Sequence, residues 1–188
     1  MSGLDAEVLV VGGGPAGAAT AGLLARRGHD VLLLERARFP REKPCAEYLS
    51  PGVVEVVERL GAFDDLIATQ PARPLGMRVG TERASFLVSY EADAGCDDRA
   101  GLGIPRPVFD RILLDHARSH GARVQEQRRV RGALLEDGRV VGVRVSGANG
   151  ETDVRARFVV AADGLHSSVA RSLGLDVPVR WPRRLGLV

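Results

Sequence analysis

Apolar and polar positions divide the chain into short, well-marked segments. The apolar run Val8 to Val11 leads into glycines, after which Ala16, Ala19, Leu23 and Leu24 recur at helical spacing, with Arg26 and Arg27 in the last turn and Gly28 as the stop. A second apolar run, Val31 to Leu34, reads as a buried strand of the parallel type. Arg36 to Glu47 is rich in charge, proline and small residues and predicts a long loop, a feature that is usually functional inside a compact domain. Ser50 as N-cap, Pro51 at the first position and the stripe Val53, Val56, Val57, Leu60 predict a helix ended by Gly61. Leu75 to Val79 and Ala84 to Ser89 predict a strand pair, Glu91 to Arg99 a surface loop, and Val108 to about His120 a helix with Ile112, Leu113 and Ala117 on one face. Ala122 to Gln125 is a short strand candidate. Val130 to Leu135 and Val140 to Val145 flank Asp137-Gly138, and Asn149-Gly150 repeats the hairpin signal before Thr152 to Ala156, which predicts a three-stranded antiparallel meander. Phe158 to Ala162 follows as a separate, fully apolar strand that stops at Asp163-Gly164, with a helix expected from about Ser167 to Leu173. The fold class is α/β.

Gly12-Gly13-Gly14-Pro15-Ala16-Gly17 sits between the first strand and the first helix, and Glu35 closes the second strand. Strand, glycines, helix and acid in this order make a dinucleotide fingerprint. Gly12 allows a tight turn, Gly14 lets backbone approach a pyrophosphate, and Gly17 lets helix and sheet pack closely. The helix entered at Pro15 or Ala16 points free N–H groups and a positive dipole end at phosphates. Glu35 can accept hydrogen bonds from ribose hydroxyls and would repel a 2′-phosphate, which disfavours NADP as the resident nucleotide. Asp163, Gly164 and Ser167, with Arg171 beyond, repeat this logic at a second strand end: Ser167 can cap a helix, and Asp163 can hold a ribityl or pyrophosphate group directly or through water.

Composition narrows the alternatives. The 188 residues carry a formal charge of +2, and Lys43 is the only lysine. Basic clusters such as Arg128, Arg129 and Arg131 lack interleaved aromatics, so no nucleic-acid partner is expected. His116 and His120 stand four apart on one predicted helix but have no third ligand in an HExxH pattern, so no metal is expected. Two cysteines, Cys45 and Cys96, together with the absence of a signal-like start, point to a reducing, cytoplasmic setting. No apolar stretch is long enough to span a bilayer, and membrane contact is not expected.

Read together, these motifs resemble the flavoprotein monooxygenases of the para-hydroxybenzoate hydroxylase type and the related geranylgeranyl reductases. Gly12, Gly14, Gly17, Glu35, Asp163, Gly164 and Ser167 match position by position. The segment Phe39 to Pro51, with Lys43-Pro44-Cys45, is similar to a loop of the reductase-like members, although Ala46 and Glu47 stand where glycines often occur. Ala170 stands where the family often has arginine, with Arg171 next. The tryptophan-rich motif of flavin-dependent halogenases does not occur around Trp181.

The resemblance implies a Rossmann-like, glutathione-reductase-like FAD-binding domain with a parallel sheet, an antiparallel meander and the start of a substrate-domain sheet. Residues 1–188 would be that domain, C-terminally incomplete, and 72–103 would be inserted strands of a substrate-binding domain. FAD is the implied cofactor, with NAD(P)H as reductant. The implied cofactor-binding residues are Gly12, Gly14, Pro15, Ala16, Gly17, Glu35, Arg36, Cys45, Arg106, Asp163, Gly164 and Ser167. No catalytic acid or base can be named. The expected activity is reduction or aromatic hydroxylation of a small isoprenoid or polyketide-like substrate, with a complementing C-terminal segment as partner. Two alternatives stay open: an NAD-dependent Rossmann dehydrogenase, and a truncated, non-catalytic nucleotide-binding module.

Overall fold

The computed structural model describes residues 3–45, 47–74, 76–89, 101–147 and 150–177. They fall into two compact units, residues 1–41 with 113–188, and residues 42–112.

The first unit is built on β1 (Ala6–Val11), α1 (Pro15–Arg26) and β2 (Val31–Leu34), followed later in the chain by β7 (Arg123–Gln125), β8 (Arg129–Glu136), β9 (Arg139–Gly147), β10 (Gly150–Ala161) and α5 (Ser168–Ser172). Its six strands form one sheet in the order β7-β2-β1-β10-β9-β8. The β7, β2, β1 and β10 neighbours run parallel, and β8, β9 and β10 pair antiparallel. Leu9 and Val11 of β1, Leu32 and Leu34 of β2, and Val143, Val145, Val154 and Ala156 of the meander share one buried cluster with Val169 of α5. Val8 and Val10 alternate to the other face of the sheet, and α1 packs along β1 and β2 with Ala18 and Ala21 buried.

One sequence expectation is corrected here. The residues from 152 to 162 form no two separate strands; β10 is a single strand of 12 residues. Its first half, through Arg155, pairs antiparallel with β9, and its second half, from Ala156, pairs parallel with β1. The hydrophobic pattern changes from alternating to continuous where the partner changes, while the backbone runs on unbroken.

The second unit contains β3 (Tyr48–Leu49), α2 (Pro51–Leu60), α3 (Phe63–Ala68), β4 (Gly76–Gly80), β5 (Ser85–Ser89) and β6 (Leu102–Gly103). Ser50 is the N-cap of α2, but its side chain makes no capping hydrogen bond, and Gly61 ends the helix in the left-handed conformation. α3 and the two-residue strands β3 and β6, which pair with each other, have no counterpart in the sequence reading. β4 and β5 form a two-stranded antiparallel sheet of their own. The expected loop at 91–99 lies outside the described residues, as does Cys96. The boundary between the units falls within α4 (Arg106–Ser119). Among the described residues no helix is long and apolar enough to cross a membrane.

Candidate functional site

β1 and β10 lie side by side and end together, with Val11 opposite Ala161 and the Ala162 amide donating to the Val11 carbonyl at 2.9 Å. The two motifs found in the sequence therefore share one edge of the sheet. Gly12, at φ +100°, is where they touch: a Cβ there would lie 2.5 Å from the Ala162 oxygen and 2.9 Å from the Asp163 Cα. A Cβ on Gly17 would lie 1.8 Å from the Gly12 oxygen, so the approach of α1 to the turn requires glycine. Gly14 is different. A Cβ there would meet only the Nη2 of Arg41, at 3.7 Å, an ordinary contact, so no protein atom accounts for glycine at this position.

The start of α1 is prepared for negative charge. Gly14 is the N-cap and Pro15 opens the helix; no side chain caps it, and no acidic residue lies in its first turn. Glu35 is buried, 5% exposed, where Oε2 accepts from the Gly13 amide at 2.7 Å and Oε1 from the Ala37 amide at 2.8 Å. Each oxygen keeps a second lone pair for a ribose hydroxyl. Arg36 is exposed. Arg41, which the sequence reading did not select, lies with its guanidinium 4.8 Å over the ring of buried Phe39. The Phe39 amide is itself held by Glu126 Oε2 at 2.7 Å.

Asp163 has divided duties. Its Oδ2 accepts from the Ser168 amide at 2.6 Å and from the Ser168 hydroxyl at 2.9 Å, which fixes the start of α5. Ser167 caps the same helix by accepting from the Ala170 amide at 2.9 Å. Burial alone would raise the pKa of Asp163, but the hydroxyls of Ser167 and Ser168 and the Ser168 amide outweigh it and hold the carboxyl below its usual range. Oδ1 is shielded from solvent and has no hydrogen-bond partner. A buried, unpartnered carboxylate oxygen calls for a donor. Gly164 adopts φ +85°, and Arg171 donates to the His166 carbonyl at 3.1 Å. An uncapped helix start that favours phosphate and an orphaned acceptor that favours a hydroxyl, set at one strand edge, suit a molecule carrying both, as FAD does.

In the second unit, Arg106 donates through Nε and Nη2 to the two carboxylate oxygens of Asp110 at 2.9 and 3.0 Å. Asp110 is completely buried. That hydrogen-bonded carboxylate, against the opposing effect of burial and with a further hydrogen bond to Cys45, raises the pKa of the Arg106 guanidinium. Sequence reasoning selected Arg106 and Cys45 but missed Asp110, although its i,i+4 spacing from Arg106 was visible. The rings of His116 and His120 pack edge to face, 4.4 Å between centroids.

Comparison with known proteins accords with this geometry. Residues 5–183 match the family described as FAD binding domain. Digeranylgeranylglycerophospholipid reductase 1 of Methanopyrus kandleri is 39% identical over 92% of this chain, which spans 43% of that protein. Two solved structures are similar in fold. The myxobacterial chondrochloren halogenase CndH, an FAD-dependent enzyme, superposes at TM-score 0.80 with 32% identity, covering 89% of this chain and 39% of its own. Aklavinone-11 hydroxylase, in a ternary complex with FAD and aklavinone, does so at TM-score 0.73 with 28% identity, covering 93% and 36%. The chain thus spans about two-fifths of the length of these proteins. With its fingerprint, its shared strand edge and a family match over nearly its whole length, the chain belongs to the FAD-binding domain family.

Proposed function

We propose that the chain is the FAD-binding part of an NAD(P)H-dependent flavoprotein oxidoreductase that acts on a small isoprenoid or polyketide-like substrate. The observation that carries this reading is the junction of Gly12 with the Ala162-Asp163 turn, which brings the phosphate-favouring start of α1 and the unpartnered Oδ1 of Asp163 to one edge. Glu35 would hold the adenosine ribose, the Gly12 to Gly17 turn the pyrophosphate, and Asp163 a hydroxyl of the ribityl chain. When bound, the flavin supplies hydride chemistry, and the protein supplies orientation and water exclusion. Glu35 also sets a preference: its carboxylate, fixed by two backbone amides, accepts hydroxyls and repels a 2′-phosphate.

Two reactions compete for the second half-reaction. Similarity to the archaeal reductase, together with Lys43-Pro44-Cys45, favours alkene reduction. Similarity to aklavinone-11 hydroxylase favours oxygen insertion. The test uses the longer protein containing this chain. Under the reductase reading, NADPH drives alkene reduction without oxygen; under the hydroxylase reading, NADPH oxidation consumes oxygen and needs an aromatic substrate. Neither activity, with flavin bound, would contradict both.

A further inference from the structure

Arg128, in the connection between β7 and β8, is half-buried and carries an unsatisfied donor. Its Nε is shielded from solvent and has no hydrogen-bond partner, a condition it shares, among the described residues, only with Asp163 Oδ1. A sealed, unpaired donor costs free energy and calls for an explanation. The far end of the side chain is held in place. Nη2 donates to Thr152 Oγ1 of β10 at 3.2 Å, and Nη1 lies 3.1 Å from where a Cβ on Gly147 of β9 would stand, so the guanidinium occupies room that a glycine leaves.

The backbone of Arg128 starts beside the ribose carboxylate. The Glu35 amide donates to the Gln125 carbonyl at 2.9 Å, the Arg128 amide to the Glu35 carbonyl at 2.8 Å, and the Gln127 amide to the Ala37 carbonyl at 3.3 Å. Gln127 adopts φ +58° within this return. The segment that bears Arg128 is thus zipped to the segment that bears Glu35, inside one compact unit.

The two side chains are chemically complementary. Glu35 only accepts hydrogen bonds and suits ribose hydroxyls, whereas Arg128 only donates and suits a group that only accepts. Next to the ribose of an adenosine stands the base, whose ring nitrogens N1, N3 and N7 carry lone pairs and no proton. The two orphaned atoms therefore have opposite characters that match the two ends of one dinucleotide: the acceptor on Asp163 suits a hydroxyl, and the donor beside Glu35 suits a ring nitrogen.

We propose that Arg128 reads the adenine base, its guanidinium turning about the contact with Thr152 to give the unpaired donor to a ring nitrogen of the bound nucleotide. This rests on the reading of the site as an FAD site. It goes further by assigning selectivity for the base to one side chain.

The test is calorimetric titration of the 188-residue chain with ADP and with three analogues, each having one adenine ring nitrogen, N1, N3 or N7, replaced by C–H, for wild type, Arg128→Ala and the exposed control Arg129→Ala. At least one analogue is expected to bind wild type about tenfold more weakly than ADP, the scale of a hydrogen bond to a charged group. In Arg128→Ala the affinity for ADP should fall by about the same factor, and the difference between ADP and that analogue should vanish. Arg129→Ala should behave as wild type. Arg128→Lys, which keeps the charge and the aliphatic stem but has no Nε–H, should lose the same discrimination and serves the comparison if Arg128→Ala does not fold. Wild type that binds all four ligands equally would overturn the proposal while leaving the FAD site standing. So would variants that lose affinity for all four ligands equally and keep the discrimination, since that marks Arg128 as a structural tie to Thr152. Failure of wild type to bind any of the four would overturn the FAD reading and this inference with it.

Discussion

Arg106 and Asp110 form an ion pair in which the carboxylate is fully buried and the arginine side chain is 12% exposed. Removing one member leaves the other charge uncompensated in a poorly solvated place, which typically costs about 3 kcal/mol or more. Asp110→Ala is therefore expected to lower the urea midpoint strongly, and a midpoint within error of wild type would show that the pair contributes nothing. The glycines permit a sharper comparison. Gly12→Ala must adopt a φ that side chains avoid and would collide with Ala162, so it should destabilise the fold by several kcal/mol. Gly14→Ala meets nothing closer than 3.7 Å, so its thermal midpoint should stay within a few degrees of wild type while FAD affinity falls. Loss of stability in Gly14→Ala, or undiminished FAD affinity, would contradict the assignment of that space to a ligand. These residue roles were unequally legible. The Gly and Glu fingerprint was readable because spacing along one βαβ unit fixes it. The place of Arg41 beside Gly14 was not, because it arises from a loop that returns to the glycine turn, which no local pattern encodes.

At the level of elements, α5 shows how a short helix is held. Asp163 and Ser167 satisfy its first amides, the Ser168 hydroxyl shares its one proton between Asp163 Oδ2 and the Val130 carbonyl, 3.0 Å away, and Ser172 accepts from the Ala133 amide at 2.9 Å, tying it to β8. Because Asp163 titrates below the usual carboxylate range when folded, its contribution is complete above the unfolded value and is lost as pH falls through the folded one. Asp163→Asn should accordingly cost about 1 kcal/mol at neutral pH and converge on wild type in acid, as followed by denaturation at several pH values. A difference that grows on acidification would contradict this sign. The partner change along β10 explains why one strand read as two: the change in periodicity was correctly seen, but periodicity reports which faces are covered, not whether the backbone is continuous. α3 and the β3–β6 pair are too short for any period to develop. β4 and β5 are a two-stranded sheet whose Met77, Val79, Phe86, Leu87 and Val88 are exposed. Two strands alone are marginal in water, so in hydrogen exchange their amides should be far less protected than those of β1 and β10. Equal protection would show that the pair is stabilised by packing beyond what is described.

For the molecule as a whole, the α/β class, the meander and the nucleotide fingerprint follow from patterns that extend over whole elements, which is why sequence alone reached them. The choice between reduction and hydroxylation does not, because relatives of both kinds share this domain and the chain spans about two-fifths of their length. What the 188 residues contain is the means to hold the cofactor. The most direct test is to titrate the purified chain with FAD, following flavin fluorescence, and then to add ADP. One FAD should bind per chain, and ADP should displace it, if the glycine turn, Glu35 and α1 hold the adenosine diphosphate half as proposed. Flavin that stays free, or bound flavin that ADP fails to displace, would contradict a single site spanning the tips of β1 and β10.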